Sequence, residues 1–389
     1  MSSKEVILEN IANLAKLNEG SEGVLRVLHA LFRKGPISTK ELARETYLPI
    51  PVAVAVRNEL QKQGIVMKTS SGTVLTAKGE KIATDFGFRS RVEARCSTCE
   101  GIGILLPNEL EEQFQLFKEI CKKRPPPRTE LDQARTTPFT AFARALQMQE
   151  HGNLDGKRIC FLGDGDLVSL AVSMLGNPEE VCVFELDERL SDFISTTAQD
   201  QDIMIDVLLQ DLRIPLPIAQ KSRFDVFSTD PPYSLQGSLL FLLRGLQLLK
   251  KISNRAGYLS MRLPDFESLQ TMQTFLVSSG CILREIRRNF NHYEGAEILG
   301  NRSDLYLIET GPNFHAIRLS EAIFDQNSSI YTGIIRPTTR IYKCVDCGAL
   351  YQVGMSQLYQ SIEALKNAGC ATLACKSSTF RLLERHKTP

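Results

Sequence analysis

Hydrophobic positions near the start of the chain follow a helical period. Apolar side chains at residues 24–32 repeat every three or four positions, and Gly35-Pro36 ends that helix. A capping box formed by Ser38 and Glu41 begins a second helix, because a serine side chain there accepts a hydrogen bond from the backbone N–H three residues later. The opening segment therefore predicts a small helical domain.

A third helix and a hairpin follow, and together these elements resemble a winged helix. Residues 51–63 have helical periodicity up to Gly64, and apolar and polar residues alternate on both sides of a turn at 70–72. Such modules commonly bind DNA. The first half of the third helix is apolar and not basic, which favours a role in packing or dimerisation. We assign residues 1–90 to this domain.

The pattern changes to alternating strands and helices from Gly156 onward. This alternation predicts an α/β fold with a doubly wound sheet of the class I methyltransferase-like (Rossmann-like) type. Seven runs are expected to form strands, at residues 158–162, 181–185, 203–208, 224–229, 257–261, 281–287 and 304–308. The sheet domain takes residues 156–325. Residues 91–155 connect the two domains through a helix at 108–123 and an extended proline tract at 124–128.

Composition narrows the class of protein without identifying it. Apolar residues make up 43% and charged residues 23% of the 389 positions, as in a globular protein with a sizeable core. The sequence has no apolar run long enough for a membrane span and no secretory signal pattern, so we expect a cytoplasmic protein. Because 46 basic residues balance 45 acidic ones, the bulk charge gives no attraction to nucleic acid.

The turn after the first predicted sheet strand reads Gly163-Asp164-Gly165-Asp166. In this architecture ligands bind at that turn, and glycine lets the backbone come close to them. A pyrophosphate-binding dinucleotide loop is the alternative, but each close carboxylate would repel an anion by about 1–4 kcal/mol. The acidic loop suits a cationic donor, and it favours decarboxylated S-adenosylmethionine over S-adenosylmethionine, which carries a carboxylate of its own.

Acidic residues also follow the second and third strands. Glu185, with Asp187 as the second choice, stands where a carboxylate accepts hydrogen bonds from ribose hydroxyls. Asp211 stands where a class I core often places an acid beside adenine, although an ordinary solvated loop residue is an equally good interpretation. We predict that these residues bind the nucleoside part of the donor.

The most specific motif is Asp230-Pro231-Pro232-Tyr233, after the fourth strand. Two prolines stiffen the turn, so that a carboxylate and a carbonyl can accept hydrogen bonds from an amine while the tyrosine ring packs over it. An amine nucleophile needs acceptors for its protons and a free lone pair, which is general-base geometry. A purely structural turn is the alternative. We predict that the catalytic residues are Asp164, Asp166, Asp230 and Tyr233.

These motifs resemble those of the branched-chain polyamine synthases, the N4-bis(aminopropyl)spermidine synthase family, over residues 24–308. The resemblance also includes Cys96 and Cys99, residues 131–133, Thr137-Pro138 and residues 291–294. Two positions depart from the family pattern. Gly165 interrupts a run of three aspartates, and the segment at 137–140 replaces a pattern of threonine and glutamate.

The resemblance implies an aminopropyltransferase whose cosubstrate is decarboxylated S-adenosylmethionine. The implied acceptor is the internal N4 amine of the polyamine spermidine, and the implied by-product is methylthioadenosine. We further expect a homodimer. Donor binding is expected at Gly163, Gly165, Asp166, Glu185, Asp187, Asp211 and Pro231, and polyamine binding is implied at Asp132, Gln133, His292 and Tyr293.

Two other classes of protein explain part of the sequence. Turns of this DPPY kind also serve S-adenosylmethionine-dependent amino-methyltransferases that modify a nucleobase in RNA or DNA. The neutral charge balance and the acidic loop argue against that class, because a phosphate backbone requires a cationic track. A non-catalytic transcription regulator would have no use for both the acidic loop and the DPPY turn on one sheet edge.

Six of the ten cysteines fall in pairs, which indicates metal ligands more than disulfides. Cys96 and Cys99 form one pair with two residues between them, and two further pairs lie in a Cys-rich extension at 326–389. The extension predicts one tetrahedral structural zinc site formed by Cys344, Cys347, Cys370 and Cys375. The pair at Cys96 is an alternative source of two ligands.

Overall fold

The protein divides into two compact units. In the computed structural model the first unit comprises Met1–Gly101 with Pro264–Phe266 and Glu297–Arg302, and the second comprises the rest of the chain. The boundaries at 90, 155 and 325 stay predictions. The structure describes residues 3–46, 48–89, 96, 98–99, 101–263, 265–294, 301–314, 330–331, 338–353, 358–359, 362–372 and 375–387.

The first unit contains the predicted three helices and hairpin. Its elements are α1 (Ser3–Leu14), α2 (Gly20–Lys34), α3 (Thr39–Thr46), α4 (Ile50–Lys62), β1 (Val66–Thr69), β2 (Gly72–Leu75) and α5 (Ala77–Asp85). The expected cap of α3 forms, since the Glu41 N–H donates to Ser38 Oγ at 3.1 Å. Helices α1 and α5 were not predicted. Leu28, Leu42 and Leu60 are fully buried where the helices meet.

The second unit is built on a mixed sheet. Among the described residues it has eight strands: β3 (Arg135–Thr136), β4 (Arg158–Leu162), β5 (Glu180–Glu185), β6 (Asp206–Leu209), β7 (Val226–Thr229), β8 (Ala256–Met261), β9 (Cys281–Glu294) and β10 (Arg302–Thr310). Their order is β3-β9-β10-β8-β7-β4-β5-β6. Strands β4 to β8 are parallel to their neighbours in this group, and β10 is antiparallel to β8. The α/β methyltransferase-like class is thus confirmed.

Three details of the sheet differ from the prediction. The two-residue strand β3 was expected to be loop, and it pairs with the end of β9 through Arg135 opposite Glu294. Strand β9 runs seven residues beyond its predicted end, and β3 pairs with the last two of them, Tyr293 and Glu294. Strand β6 begins at Asp206 and not at residue 203, after the end of the preceding helix.

Within the described residues, six helices alternate with the strands of this sheet along the chain. They are α6 (Glu111–Lys123), α7 (Pro138–Glu150), α8 (Val168–Leu175), α9 (Glu188–Asp200), α10 (Leu235–Leu248) and α11 (Phe266–Ser278). The expected proline tract is extended, with no helix or strand at 124–128. Helix α10 approaches β7 so closely that Gly245 lies directly against the ring of Phe227. No helix in the described part of the chain is long and apolar enough to cross a membrane.

The C-terminal part of the second unit is a three-stranded antiparallel sheet with one short helix. Its elements are β11 (Thr338–Cys344), β12 (Leu350–Val353), α12 (Ile362–Ala368) and β13 (Phe380–Lys387), with β11 in the centre. The segment between the two cysteine pairs of this region contains helix α12, which begins at Ile362. Residues 356–357 and 360–361 lie outside the described residues.

Candidate active site

The three acidic turns predicted from the sequence lie along one edge of the sheet. Leu162 of β4 is level with Phe184 of β5 and with Thr229 of β7, so the turns that follow these strands open on the same side. A pocket lies at this edge. Its lining includes the predicted residues Asp132, Gln133, Gly163, Asp164, Gly165, Asp166, Glu185, Asp211, Asp230, Pro231 and Tyr233.

The acidic turn between β4 and α8 is held by its own backbone. Gly163 and Leu167 both have positive φ angles, 67° and 64°. A left-handed leucine costs about 1–2 kcal/mol. The carboxylate of Asp164 helps offset that cost, because it accepts hydrogen bonds from the Val168 and Ser169 N–H groups at 2.8 and 3.1 Å and so caps α8. Burial raises the pKa of Asp164 to about 7.

A buried arginine that was not predicted joins the acidic turn to the DPPY turn. The Arg144 side chain, on α7, is only 3% exposed. Its Nη1 donates to Asp166 Oδ2 at 2.8 Å, and its Nη2 donates to Asp230 Oδ2 at 2.7 Å. The attraction of both carboxylates outweighs burial and raises the pKa of Arg144 above its ordinary value. An arginine among the apolar residues of the α7 sequence was the signal that could have revealed it.

The DPPY carboxylate is fixed through one of its two oxygens. Besides Arg144, the Tyr293 hydroxyl donates to Asp230 Oδ2 at 2.7 Å. In the described part of the chain, Oδ1 of Asp230 accepts no hydrogen bond. Burial raises the pKa of Asp230 to about 7, while the charge of Arg144 opposes a further rise. The rings of Tyr233 and Tyr293 meet edge to face at 6.5 Å.

Segments far apart in the sequence meet at the acceptor side because β3 pairs with the end of β9. The Thr137 N–H donates to the His292 carbonyl at 2.9 Å, and the His292 N–H donates to Thr140 Oγ1 at 3.2 Å. Neither His292 nor Tyr293 lines the pocket. Tyr293 instead reaches the site through Asp230, whereas His292 joins β9 to the start of α7. The polyamine contacts expected of both residues stay predictions.

On the donor side, Glu185 lines the pocket and Asp187 does not. Glu185 accepts N–H bonds from Asp164, Leu186 and Asp187 at 2.9–3.0 Å, and burial raises its pKa. The Asp187 carboxylate is occupied by Arg189, with the shortest contact at 2.6 Å, and caps α9. The second choice for the ribose contact is therefore not favoured by the geometry.

The rest of the pocket is acidic and has two walls that were not predicted. Asp211 is paired with Arg213 at 2.6 Å and still lines the pocket. In all, six carboxyl groups and three guanidinium groups contribute to the lining, an excess that suits a cationic ligand. Ile330 and Tyr331 also line it, and the Ile330 carbonyl accepts a hydrogen bond from Ser234 Oγ at 2.6 Å.

The four C-terminal cysteines come together as predicted. Their sulfur atoms all lie within 4.8 Å of one another. Cys96 and Cys99 are not part of this group and belong to the first unit.

The site and the fold define the class of protein first: an enzyme with a class I methyltransferase-like sheet and an acidic ligand pocket at its carboxyl edge. A sequence profile of the branched-chain polyamine synthase A C-terminal domain matches residues 112–311, about half of the chain. The chain belongs to the branched-chain polyamine synthase family, which confirms the resemblance seen in its motifs.

Individual relatives agree with this membership. The N(4)-bis(aminopropyl)spermidine synthase of Methanocaldococcus jannaschii is 32% identical over 294 residues, which cover 74% of this chain and 82% of that protein. A second M. jannaschii protein, of uncharacterised function, is 35% identical over 98% of this chain and 94% of its own length. The branched-chain polyamine synthase of Thermus thermophilus, in complex with N4-aminopropylspermidine and 5′-methylthioadenosine, is 26% identical with a TM-score of 0.66, and the match covers 84% of this chain and 98% of that one.

Proposed function

We propose that this chain transfers aminopropyl groups from decarboxylated S-adenosylmethionine to the internal N4 amine of spermidine and releases 5′-methylthioadenosine. The Thermus relative is bound to N4-aminopropylspermidine and 5′-methylthioadenosine, which correspond to the acceptor after one transfer and to the donor after losing its aminopropyl group. The observation in this chain that carries the proposal is the carboxylate of Asp230. One oxygen is held by two donors, and the other is available in an acidic pocket.

The donor side of the pocket supports binding of a nucleoside. A carboxylate offers about four lone-pair positions, and the backbone bonds of Glu185 use three of them. The remaining position can accept a bond from a ribose hydroxyl beside the close backbone approach at Gly163. Asp211 and Tyr331 then border the adenine end of the pocket.

The acceptor side supports removal of a proton from an amine. In the proposed step the nitrogen lone pair bonds to the methylene carbon next to the sulfonium, and the carbon–sulfur bond breaks with its electron pair left on sulfur. The proton of the attacking amine passes to Oδ1 of Asp230. A base with a pKa of about 7 suits this transfer near neutral pH. Arg144 and Tyr293 keep the carboxylate in place by holding Oδ2.

The arrangement changes the roles first expected for the loop aspartates. The sequence predicts that Asp164 and Asp166 act in catalysis together with Asp230, but the guanidinium of Arg144 lies between Asp166 and Asp230. We therefore place the nitrogen at Oδ1 of Asp230, beside the ring of Tyr233. Asp164 and Asp166 contribute negative charge to the pocket from positions fixed by their own hydrogen bonds.

The finer expectations for the whole chain stay proposals. The helices and hairpin of the first unit support a winged helix, and the Arg57 guanidinium on α4 is buried and bonded to Thr39 and Asn58 within the unit. We propose that this unit serves packing, in a homodimer located in the cytoplasm. The molar mass of the full-length protein, measured by light scattering as it elutes from a size-exclusion column, tests the dimer. A monomer mass at micromolar concentration would contradict it.

Incubation with spermidine and each donor in turn tests the proposed activity. We expect spermidine carrying one or more aminopropyl groups with the decarboxylated donor only, together with methylthioadenosine, as read by product masses. Asp206→Asn, at an exposed position of β6, is the matched control for changes to buried aspartates and should leave turnover intact. Methylated product from S-adenosylmethionine, with no aminopropyl product, would replace this proposal with an amino-methyltransferase.

A further inference from the structure

We propose that Cys344, Cys347, Cys370 and Cys375 bind one zinc ion that holds the small C-terminal sheet together. These residues lie outside the part of the chain that matches the family profile, so their chemistry is not explained by the transfer reaction. All four cysteines are free of disulfide bonds. The proposal does not depend on the proposed function.

The distances between the sulfur atoms fit a single tetrahedral metal site. Cys344 Sγ lies 3.7 Å from Cys375 Sγ, and Cys347 Sγ lies 3.4 Å from Cys370 Sγ. Four thiolates at a zinc–sulfur distance of about 2.3 Å stand about 3.8 Å apart along the edges of a tetrahedron. A disulfide would instead require about 2.05 Å. The cluster therefore has the size of a metal site.

The backbone brings each cysteine pair into a tight turn. In the first pair, Gly348 has a φ angle of 78°, and its N–H donates to the Cys344 carbonyl at 3.1 Å. In the second pair, Gly369 has a φ angle of 72° directly before Cys370. The Cys375 N–H donates to the Thr372 carbonyl at 2.8 Å, so a turn absorbs the long spacer of this pair.

Among the described residues of this region, the buried apolar core is small. It consists of Cys344, Val353, Leu365 and Phe380, so one metal ligand is itself among the core residues. Domains of this size commonly depend on a structural metal, because the area they bury does not offset the loss of chain entropy. Metal binding in such a module adds directly to the free energy of folding.

The surroundings of the cluster indicate a structural site and not a catalytic one. Four thiolates complete the coordination of zinc and leave no position for water or substrate. The Tyr351 hydroxyl accepts the Ala371 N–H at 2.8 Å, which directs its own hydrogen towards Cys370 Sγ, 3.0 Å away. Hydrogen bonds of this kind orient metal ligands, and losing one typically lowers metal affinity about 10–100-fold.

Metal analysis of the full-length protein, purified without an affinity tag, tests the proposal. We expect one zinc per chain, released when a mercurial reagent has titrated four thiols. Cys347→Ser should lose the zinc, because it removes one of the four thiolate ligands. Cys347 is exposed, so its replacement disturbs the core little. Cys96→Ser, also at an exposed cysteine, is the control and should retain it. Limited proteolysis should then cut the Cys347→Ser protein after residue 337 much faster than the control.

Several results would overturn the proposal. Less than about half an equivalent of zinc in the wild type, with the four thiols titrating freely, would exclude a closed site. One equivalent of iron would assign a different metal to the same ligands. Retention of zinc by Cys347→Ser, or its loss from Cys96→Ser, would place the metal elsewhere. Because the wild-type measurements need no variant to fold, a misfolded variant does not protect the proposal.

Discussion

Replacing Arg144 by methionine removes the positive charge that lies between two buried carboxylates. Arg144 contacts Asp166 at 2.8 Å and Asp230 at 2.7 Å, and it is almost completely buried. Two unit charges about 4 Å apart attract by about 4 kcal/mol at an effective dielectric constant of about 20. Because one pKa unit corresponds to about 1.4 kcal/mol, this attraction corresponds to at most about 3 units. Water that enters beside the shorter methionine side chain screens the remaining charges, so we expect the pKa of Asp230 to rise by about 1–2 units.

The consequence for turnover depends on pH. With a pKa of about 7, about half of the Asp230 carboxyl is ionised at pH 7. A rise of 1–2 units leaves about one-tenth to one-hundredth ionised, so the rate at pH 7 should fall about 5–50-fold and recover as the pH rises. The variant should also lose about 3–5 kcal/mol of stability, since two buried charges lose their partner.

Methylthioadenosine release, measured across pH with saturating substrates, checks this reasoning. The wild type and Arg144→Met are assayed with the same substrates, so protonation of the donor and the acceptor affects both pH–rate profiles equally. Arg144→Lys keeps the positive charge, so it should shift the acid limb of the pH–rate profile less than Arg144→Met does. Circular dichroism at each pH reports the folded fraction. An equal fall at every pH, with an unmoved acid limb, would show that Arg144 acts only by supporting the fold.

Three further predictions, the last of which compares two substitutions, test other parts of the structure. Asp230→Asn should lower turnover about 100-fold or more, with methylthioadenosine binding by calorimetry almost unchanged, and wild-type turnover would exclude Asp230 as the base. The folded-state pKa of Asp164, about 7, exceeds the unfolded value of about 3.9, so the wild type should lose stability relative to Asp164→Asn as pH rises from about 4 to 7. A constant difference in Tm would contradict this. Gly245→Ala places a methyl group 2.5 Å from the Phe227 ring and should lower the free energy of unfolding by about 1–3 kcal/mol. Gly165→Ala is the control, because the added methyl group meets no atom closer than 3.9 Å. Equal Tm values for the two variants would refute this contrast.

The parts of the site that the sequence predicts are those that follow from strand order. Parallel strands of a doubly wound sheet present their carboxyl ends at one edge, so residues after three strands must be neighbours. This explains why Asp164, Glu185 and Asp230 were found from their positions alone, and all three line the pocket. The strands that precede these residues were predicted from their apolar runs, which are buried on both faces of the sheet.

The parts that the sequence did not predict depend on contacts between distant segments. Arg144 meets Asn291, 147 residues away, and no local pattern records such a pair. Strand β3 has only two residues, too few for an alternation, and it exists because β9 offers an unpaired edge. The ribose contact expected of Asp187 stays a prediction that the local geometry does not favour, since Arg189 two residues later occupies its carboxylate.

Hydrogen bonding within the chain decides which of the many pocket carboxylates is available for chemistry. Both oxygens of Asp164, Asp166 and Glu185 accept hydrogen bonds from the protein itself. Asp230 differs, since in the described residues only its Oδ2 is bonded. A polyamine entering the pocket therefore meets one carboxylate oxygen without a partner, surrounded by negative charge that the protein has already fixed in place. In the proposed reaction the fixed acids attract the cation, and Asp230 receives its proton.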